Sequence, residues 1–545
     1  MRRLLFVLLV SFLLSASTSI AQTDRPDAWR ADLATLVERL EARHPDPYHT
    51  VSESELRSRV EELDSRVPRL GDHQIVVELA RITALVGDGH TGVFVPWDFE
   101  WGRFPLEVWN LDEGLLIAAS GVGYESLPGA RIVSIGDRPA EAVLARVDSL
   151  VPSDNRFGAR GVRRFMVVPE VLNALGVIDG TGALPLVVES PAGNRRRVVV
   201  RGVAREAEID WRWIRPEADL VRWLRHRDAR YWFDPLPEAR SVYVQYNDAS
   251  WQDDEETLLA FGDRLVDHVL ENDIERVIVD LRWNDGGSDR WTNILLHALI
   301  RIEHALGHPR TQDRDPGPPL FALIGPETFS AATSFALDLE EHTNAVFVGE
   351  PTGGRPVGYG GQSFIDLPRT GTRVRTSYRY QISSYPGDDR PALFPHVAAP
   401  PTIASYRENR DPALEATLEW REGGGIVERL EEAVEAGGVE AGRATWKAWR
   451  ADPRNRWREP EGVLNGLGYR LLGRDRVDEA VAVFRINAEA HPRSANAHDS
   501  LGEALVRAGR IEAAIAAYER SLALDPGGAL GDNARRVLAE LRSRQ

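Results

Sequence analysis

Four short apolar runs alternate with helical patterns in the middle of this 545-residue chain, between about residues 241 and 374. A run that is apolar throughout is typical of a strand buried on both faces, and helices between such strands cover a sheet on both sides. The predicted strands are 241–246, 277–281, 320–324 and 345–348, and the predicted helices are 258–270, 291–302 and 329–341. This alternation predicts an α/β domain, and the chain is long enough for further domains.

The segments on either side of this pattern differ from it. Apolar residues three and four positions apart predict a helical cap of about three helices within 27–100. Short alternating or β-branched runs between Gly and Pro turns predict a β-rich subdomain over 101–205. Its stretch GARIVSIGD, residues 129–137, is similar to the carboxylate-loop region of a PDZ-like module, and an insertion that only packs on its neighbour is the alternative. The α/β domain then occupies 206–420, followed by a linker or short helix over 421–460.

An internal repeat with a period of 34 residues occupies the C-terminal part, 461–545. Six residues recur at this offset: Leu467, Gly468, Val477, Ala480, Phe484 and Pro492 correspond to Leu501, Gly502, Ile511, Ala514, Tyr518 and Pro526. The period and the residue types are those of tetratricopeptide repeats, in which pairs of helices stack and leave a concave face. We therefore expect an all-α repeat module that can recruit a protein partner.

The first 21 residues have the pattern of a secretory signal peptide. Arg2 and Arg3 precede an apolar run, and a small-residue cleavage site ends at Ala21. The apolar run is short for a bilayer span, and a retained membrane anchor is the alternative. We expect an exported protein, periplasmic or secreted, without stable membrane insertion. The net charge of −17 argues against binding to nucleic acid, which requires a basic surface.

Two scarce residue types limit the chemistry of the chain. It has no cysteine, which excludes disulfides, thiolate metal sites and cysteine catalysis, and its only lysine is Lys447. His304 and His308 have the spacing of a metal-binding helix face, but Ala305 stands where a zinc peptidase carries its glutamate base. A surface or structural role is expected for this pair. We expect neither a metal nor another cofactor.

Three segments that lie far apart in the sequence carry the candidate chemistry. They are LVGDGHTG at 85–92, VDLRWNDGGS at 279–288 and GPETFSAA at 325–332. In the third segment, Ser330 follows a predicted buried strand and opens a predicted helix, so its hydroxyl lies at the positive end of the helix dipole. This position suits a nucleophile. An ordinary helix N-cap is the alternative for this serine.

In this order, the three segments resemble those of the tail-specific, C-terminal processing serine peptidases, in particular the branch that includes the tricorn protease core. The resemblance spans about 30–405, and the stretch VGEPTGG at 348–354 also fits. It implies a crotonase-like α/β superhelix preceded by the helical cap and the β-rich insertion. It also implies hydrolysis of a polypeptide substrate through an acyl-enzyme on Ser330. A catalytically inactive peptide-binding scaffold of the same fold, or an ester or amide hydrolase, are the alternatives.

The resemblance leaves two types of residue that can activate the serine, a lysine or a histidine. The lysine position aligns with Arg355, whose guanidinium stays protonated and cannot accept a proton, and Lys447 lies outside the domain. His90, in the glycine-rich loop after the helical cap, is therefore the predicted general base, with Gly89 and Gly92 giving access and sharp turns. A purely structural histidine is the alternative.

Backbone amides are the predicted donors to the oxyanion that forms during acyl transfer. By resemblance, the amide of Gly286 or Gly287 and the amide of Ala331 form this oxyanion hole, and glycine allows the backbone to approach a ligand closely. Three polar residues of the second segment are expected to brace the loop: Asp280, Arg282 and Asn284.

The sequence departs from the pattern that it resembles at two places, and a third group has only candidates. The histidine-using branch has a serine beside the histidine, where this chain has Gly89. That branch also has a distant acidic residue, for which Asp388 and Asp389 are the candidates in this chain. Asp88 is closer to the histidine in the sequence but is expected to be structural. His396 stands where members of the family often carry an aspartate. The identity of the third catalytic group is therefore open.

Overall fold

The structure is a computed structural model that describes residues 25–93, 99–158, 165–250, 256–306, 319–420, 426–458 and 460–543. The predicted signal peptide and His308 lie outside the described residues, so the structure does not bear on either. No helix within the described ranges is both long enough and apolar enough to cross a membrane.

Three helices open the described chain: α1 Arg25–Arg43, α2 Glu53–Arg66 and α3 Asp72–Ala84. Their buried residues recur three and four positions apart, as Leu33, Leu36 and Leu40 do in α1, and they form the stripe expected of helices with one face in a core. After α3 the chain enters the glycine-rich loop that carries His90.

A second, antiparallel sheet follows this loop. Its main strand order is β1-β2-β3-β5-β6, with β4 paired to β3 and β7 paired to β2. The strands are β1 Leu106–Leu111, β2 Gly114–Gly121, β3 Arg131–Ile135, β4 Arg138–Pro139, β5 Ala183–Glu189, β6 Arg195–Arg201 and β7 Trp211–Trp213, and the helices are α4 Ala140–Asp148 and α5 Pro169–Ala174. Apolar side chains of this sheet and of α1–α3 pack in one continuous core. The N-terminal helices and the β-rich subdomain therefore support each other.

The central sheet has the strand order β17-β12-β11-β10-β9-β8. Neighbours from β9 to β12 and β17 are parallel, and β8 runs antiparallel at the edge. The strands are β8 Tyr231–Leu236, β9 Ser241–Tyr246, β10 Arg276–Asp280, β11 Leu320–Ile324, β12 Val346–Gly349 and β17 Val397–Ala398. The predicted strands and helices of this region agree with the structure to within three residues, because fully buried strands must be apolar on both faces.

Helices cover both faces of the central sheet. On one face lie α6 Leu258–Glu271, α7 Asp289–Ala305 and α8 Ala331–His342, whose Phe261, Leu299 and Phe335 are fully buried. On the other face lies α10 Pro412–Leu418, which follows α9 Ile403–Glu408 and buries Ala413 and Leu414. The predicted α/β class with a C-terminal helical module is therefore confirmed.

Two small antiparallel pairs connect the central sheet to the N-terminal region. They join β13 Val357–Gly360 to β16 Arg379–Ile382, and β14 Ser363–Asp366 to β15 Arg373–Thr376. The backbone of Gly92 exchanges two hydrogen bonds of 3.0 Å with that of Arg375 in β15. This bridge holds the His90 loop against β15.

The C-terminal module consists of helices from 426 onward: α11 Ile426–Ala451, α12 Pro460–Gly473, α13 Val477–Ala490, α14 Ala495–Arg507, α15 Ile511–Leu524 and α16 Ala529–Ser543. Part of the predicted linker is thus the helix α11, which kinks at Gly437–Gly438 and contributes Leu430 and Trp446 to the core of the module. In both repeats the glycine faces an aromatic ring. A Cβ on Gly468 would lie 2.5 Å from the Phe484 ring, which explains why this position of the repeat is glycine.

Candidate active site

Ser330 lies at the turn between β11 and α8, with φ 52° and ψ −125°. A residue with a side chain rarely adopts this conformation, and such strain concentrates at functional sites. The side chain of Ser330 makes no capping hydrogen bond to the helix that it precedes. The alternative of an ordinary N-cap therefore fails, because the hydroxyl points elsewhere.

The hydroxyl points to His90. The imidazole Nε2 lies 3.0 Å from Ser330 Oγ, although 240 positions separate the two residues in the sequence. Burial of the ring lowers the pKa of His90; the nearby Asp88 carboxylate opposes this shift and Arg379 adds to it. The imidazole is therefore neutral near pH 7 and has a lone pair available for a proton.

Two carboxylates hold the backbone of the His90 loop. Asp88 Oδ1 accepts the amide of His90 at 2.9 Å, and Asp154 Oδ1 accepts the amide of Gly89 at 2.7 Å. The imidazole also packs on the Phe329 ring, with 4.7 Å between the ring centroids. The main chain that leads into His90 is thus held by two carboxyl oxygens on adjacent amides.

Asp88 is fully buried in a cluster with His44 and Ser377. His44 Nε2 lies 2.9 Å from Asp88 Oδ2, and Ser377 donates to Oδ1 at 2.6 Å. His44 Nδ1 accepts the amide of Asp46, so the ring proton is on Nε2 and is donated to Asp88. Burial raises the pKa of Asp88, but the hydrogen bonds from His44 and Ser377 outweigh it, and the pKa lies below its ordinary value. Asp88 is therefore a charged anchor for the loop, in line with the structural role expected for it.

Asp154 has no counterpart in the sequence-based expectations. Burial, with a contribution from Asp88, raises its pKa to about 7, and the hydrogen bond from the Gly89 amide opposes the shift. A cavity of about 30 Å³ has Asp154, His90 and Ser330 in its wall. Asp154 lies in the loop after α4, and no motif in its neighbourhood marks it as part of a site.

Phe329 explains why Gly89 replaces the serine of related sequences. A Cβ on residue 89 would lie 2.5 Å from Cζ of the Phe329 ring. Real carbon atoms do not approach this closely, so the aromatic ring takes the space that the serine side chain would need. The departure at residue 89 therefore has a steric cause.

Asn284 distinguishes between the two glycines predicted for the oxyanion hole. Its Oδ1 accepts the amide of Gly286 at 3.0 Å, and its Nδ2 donates to the carbonyl of Tyr246 at 3.0 Å. Among the described residues, the amides of Gly287 and Ala331 donate to no protein acceptor. These two amides are thus free to bind an oxyanion. Gly286 instead packs against Ser330, since a Cβ on it would lie 2.7 Å from Ser330 Cβ.

The polar residues of β10 and the following turn brace this region, as expected. Arg282 is buried and pairs with Asp280 at 2.5 Å and with Asp411 at 2.8 Å. Tyr243 also donates to Asp280, at 2.5 Å. The network joins the end of β10 to the start of α10.

The structure does not bring the two predicted acidic residues to the imidazole. Asp388 is buried and holds Arg390 Nε at 2.9 Å and Ser384 Oγ at 2.7 Å, while the side chain of Asp389 is exposed. His90 Nδ1 has no hydrogen-bond partner among the described residues. The expectation that Asp388 or Asp389 orients the imidazole is therefore not met, because Arg390 and Ser384 bind the buried carboxylate.

His396 makes a structural contact in the central sheet and is not part of the Ser330–His90 pair. Its Nδ1 accepts the amide of Phe347 at 2.9 Å, and burial lowers its pKa to about 4. The residue thus stabilises the edge of the central sheet. Within the described ranges, no cluster of three or more His, Asp or Glu side chains could hold a metal ion.

Ser330 and His90 open into a cleft of about 880 Å³. Gly286, Gly287 and Ala331 are in its wall together with Ser330. The cleft also carries charges of both signs, among them Asp289 and Arg379. A serine hydroxyl, a neutral imidazole and two free amides therefore meet at one accessible cavity, and acyl transfer requires groups of these kinds.

Comparisons with known families agree with this geometry. Residues 242–386 match the model "Peptidase family S41", and residues 495–527 match the model "Tetratricopeptide repeat". The chain is therefore a serine-type peptidase with a tetratricopeptide repeat. The repeat suggests protein interaction, and recruitment of a particular partner stays a prediction.

Solved structures show the same fold. Mature CPAF complexed with lactacystin is 14% identical with a TM-score of 0.51, covering 72% of this chain and 97% of that one. Mature CPAF alone is 13% identical with a TM-score of 0.50, covering 76% and 98%. The comparison with curated protein sequences finds no match.

Proposed function

We propose that this serine-type peptidase cleaves peptide bonds through an acyl-enzyme on Ser330, with His90 as the general base. The observation that carries the proposal is the 3.0 Å separation of His90 Nε2 and Ser330 Oγ. The strained backbone of Ser330 supports it, since this conformation turns the hydroxyl away from the helix and toward the imidazole.

The reaction follows from the positions of these groups. His90 takes the proton of the hydroxyl as Ser330 Oγ attacks the peptide carbonyl, and the amides of Gly287 and Ala331 stabilise the oxyanion. The imidazolium then protonates the leaving nitrogen, the C–N bond breaks, and an ester on Ser330 remains. A water molecule attacks this ester, gives its proton to His90, and releases the acid, after which the proton returns to Ser330.

We also propose that the His90 imidazole is oriented through its main chain. Carboxylates usually orient a catalytic histidine by accepting a proton from its second ring nitrogen. Here Asp88 and Asp154 accept the amides of His90 and Gly89 instead, and Phe329 supports the ring. Hydrogen bonds on two adjacent amides, one of them to the charged Asp88, restrict the loop, which supports orientation from the backbone.

Export is a further part of the proposal. The basic start, apolar run and small-residue site of the first 21 residues support removal of a signal peptide. Mass spectrometry of the protein purified from its native host should give a mature N-terminus near residue 22. An intact N-terminus in the cytoplasmic fraction would contradict export.

Fluorophosphonate labelling tests the catalytic proposal. The wild-type protein should become labelled and should digest casein, Ser330→Ala should lose both properties, and His90→Ala should lose most of the labelling rate. Ser65→Ala is the matched control, because Ser65 is exposed on α2 and should react as the wild type does. Equal labelling of Ser330→Ala and wild type would remove the assignment of the nucleophile.

The same experiment separates the alternatives. A wild-type protein that neither labels nor digests casein would be a binding scaffold. A protein that labels and cleaves small esters or amides but no polypeptide would have the proposed chemistry with another substrate.

A further inference from the structure

In the strand β16, apolar residues face outward and a polar residue faces inward, which is the reverse of the arrangement expected of a surface strand. Surface strands turn apolar residues inward and polar residues to water. In β16, Gln381 turns inward, where its Nε2 donates to Ser334 Oγ at 3.1 Å and to Ser383 Oγ at 2.8 Å. Tyr380 and Ile382 turn outward and are 56% and 48% exposed. Such an exposed apolar face is a feature of interaction sites.

Tyr378, which precedes β16 and is 52% exposed, continues the same alternation. We call Tyr378, Tyr380 and Ile382 the apolar row. A Cβ on Gly361 would overlap the Tyr378 ring, so this ring packs directly against the Gly361 backbone. The Tyr378 amide also donates to the Gly360 carbonyl at 3.2 Å. The first member of the row is therefore held in place.

Tyr380 is held in a similar way by the neighbouring strand. It pairs in register with Tyr359 of β13, and the two ring centroids are 5.2 Å apart in an edge-to-face arrangement. Rigid aromatic side chains lose little entropy when they bind, so a surface of this kind is preorganised for contact.

The apolar row begins at the catalytic cleft. Tyr378, the first member of the row, is in the wall of the same cleft as Ser330 and His90. From the wall of the cleft, the row thus continues along the outward face of β16 through Tyr380 and Ile382. Among the described strands, β16 pairs only with β13, so its other edge can accept an extended chain.

We propose that the apolar row binds an extended, apolar segment of the polypeptide substrate, outside the residues that flank the cleaved bond. This proposal rests on the proposed peptidase function and adds to it a second contact with the polypeptide substrate, on the outward face of β16. Continuity with the cleft favours substrate over a second copy of the chain. Three side chains are also too few for the roughly 800 Å² that each partner buries in a stable dimer.

The test compares a long and a short substrate. The double variant Tyr380→Ser/Ile382→Ser should lower kcat/KM for an unfolded casein about tenfold, mainly through KM, because two aromatic or aliphatic contacts are lost. It should leave cleavage of a short chromogenic peptide and the rate of fluorophosphonate labelling within about twofold of wild type, since those ligands do not reach the row.

The matched control is Val122→Ser/Val199→Ser, which removes two similarly exposed apolar residues, 58% and 53%, one in the turn after β2 and one on β6. It should cleave casein and the short peptide at the wild-type rates. Unchanged cleavage of casein by the Tyr380→Ser/Ile382→Ser variant, or an equal loss for both substrates, would overturn the proposal.

Two further outcomes are distinguishable. A wild-type dimer in sedimentation that becomes a monomer in the Tyr380→Ser/Ile382→Ser variant, with casein cleavage unchanged, would make the row a self-association surface and overturn the proposal. If the wild type fails to label, the proposed function fails instead. Binding of fluorescein-labelled unfolded casein to the Ser330→Ala protein then tests the row alone, and equal affinity with and without Tyr380→Ser/Ile382→Ser would refute it.

Discussion

The ring of Phe329 occupies the space that any side chain on residue 89 would need, with only 2.5 Å between its Cζ and the position of a Cβ on Gly89. Phe329 immediately precedes the proposed nucleophile Ser330, and Gly89 immediately precedes its partner His90. The contact therefore couples the two halves of the proposed catalytic pair through their neighbours in sequence.

Gly89→Ser should lower activity, although it restores the serine found in related sequences. The new side chain must push either the Phe329 ring or the His90 loop away, and a displacement of about 1 Å in a catalytic geometry costs about 100-fold in rate. The fluorophosphonate labelling rate measures this loss. Gly182→Ser is the control, since a Cβ there meets no atom within 4 Å. A labelling rate at or above wild type for Gly89→Ser would refute the coupling.

With His90 as the general base, the rate of fluorophosphonate labelling should decrease at acid pH. Only neutral His90 can accept the serine proton, and burial lowers its pKa below the ordinary 6.5. The labelling rate should therefore be constant above neutrality and fall as the pH drops through a value below 6.5. Because Asp154 titrates near pH 7, the profile should also be measured in Asp154→Asn. If the labelling rate of Asp154→Asn still decreased with a midpoint above pH 7, this would contradict the assignment of His90.

How much of this site follows from the sequence depends on the range of the interactions. Continuous apolar runs mark the central strands, so the turn that holds Ser330 could be predicted from local pattern. His90 follows from the resemblance together with the lack of a lysine in the domain. Asp154 could not be predicted, because it acts on the amide of Gly89 across 65 positions and has no local signal. The apolar row could not be predicted either, because the alternation of apolar and polar residues does not indicate which face of β16 is exposed to solvent.

Asp154 should make the stability of the protein depend on pH. The pKa of Asp154 is about 7 in the folded protein, and its ordinary value of 3.8 applies to the unfolded chain. Between pH 3.8 and about 7 the folded protein therefore binds more protons than the unfolded chain. The free energy of unfolding should therefore decrease as the pH rises from about 4 to about 7, and this contribution levels off above. Asp154→Asn keeps an oxygen for the Gly89 amide but does not ionise. The free energy of unfolding of Asp154→Asn minus that of the wild type, measured with urea, should therefore be larger at pH 8 than at pH 5.

The control for that comparison is Asp137→Asn, an exposed residue whose substitution should change stability equally at both pH values. A difference between Asp154→Asn and wild type that is the same at pH 5 and pH 8 would show that Asp154 does not titrate in this range.

Asn284→Ala should lower kcat with little change in KM. Asn284 fixes the Gly286 amide from one side and the Tyr246 carbonyl from the other, so its removal frees the turn that presents the Gly287 amide to the oxyanion. Loss of one oxyanion donor costs roughly 100-fold to 1000-fold in kcat, and a misplaced donor should cost part of that, about tenfold or more. Steady-state kinetics on a short peptide separates kcat from KM. Asn272→Ala, at the exposed end of α6, is the matched control. If Asn284→Ala raised KM and left kcat intact, the turn would act in substrate binding, and the oxyanion would have to be held by other groups than Gly287 and Ala331.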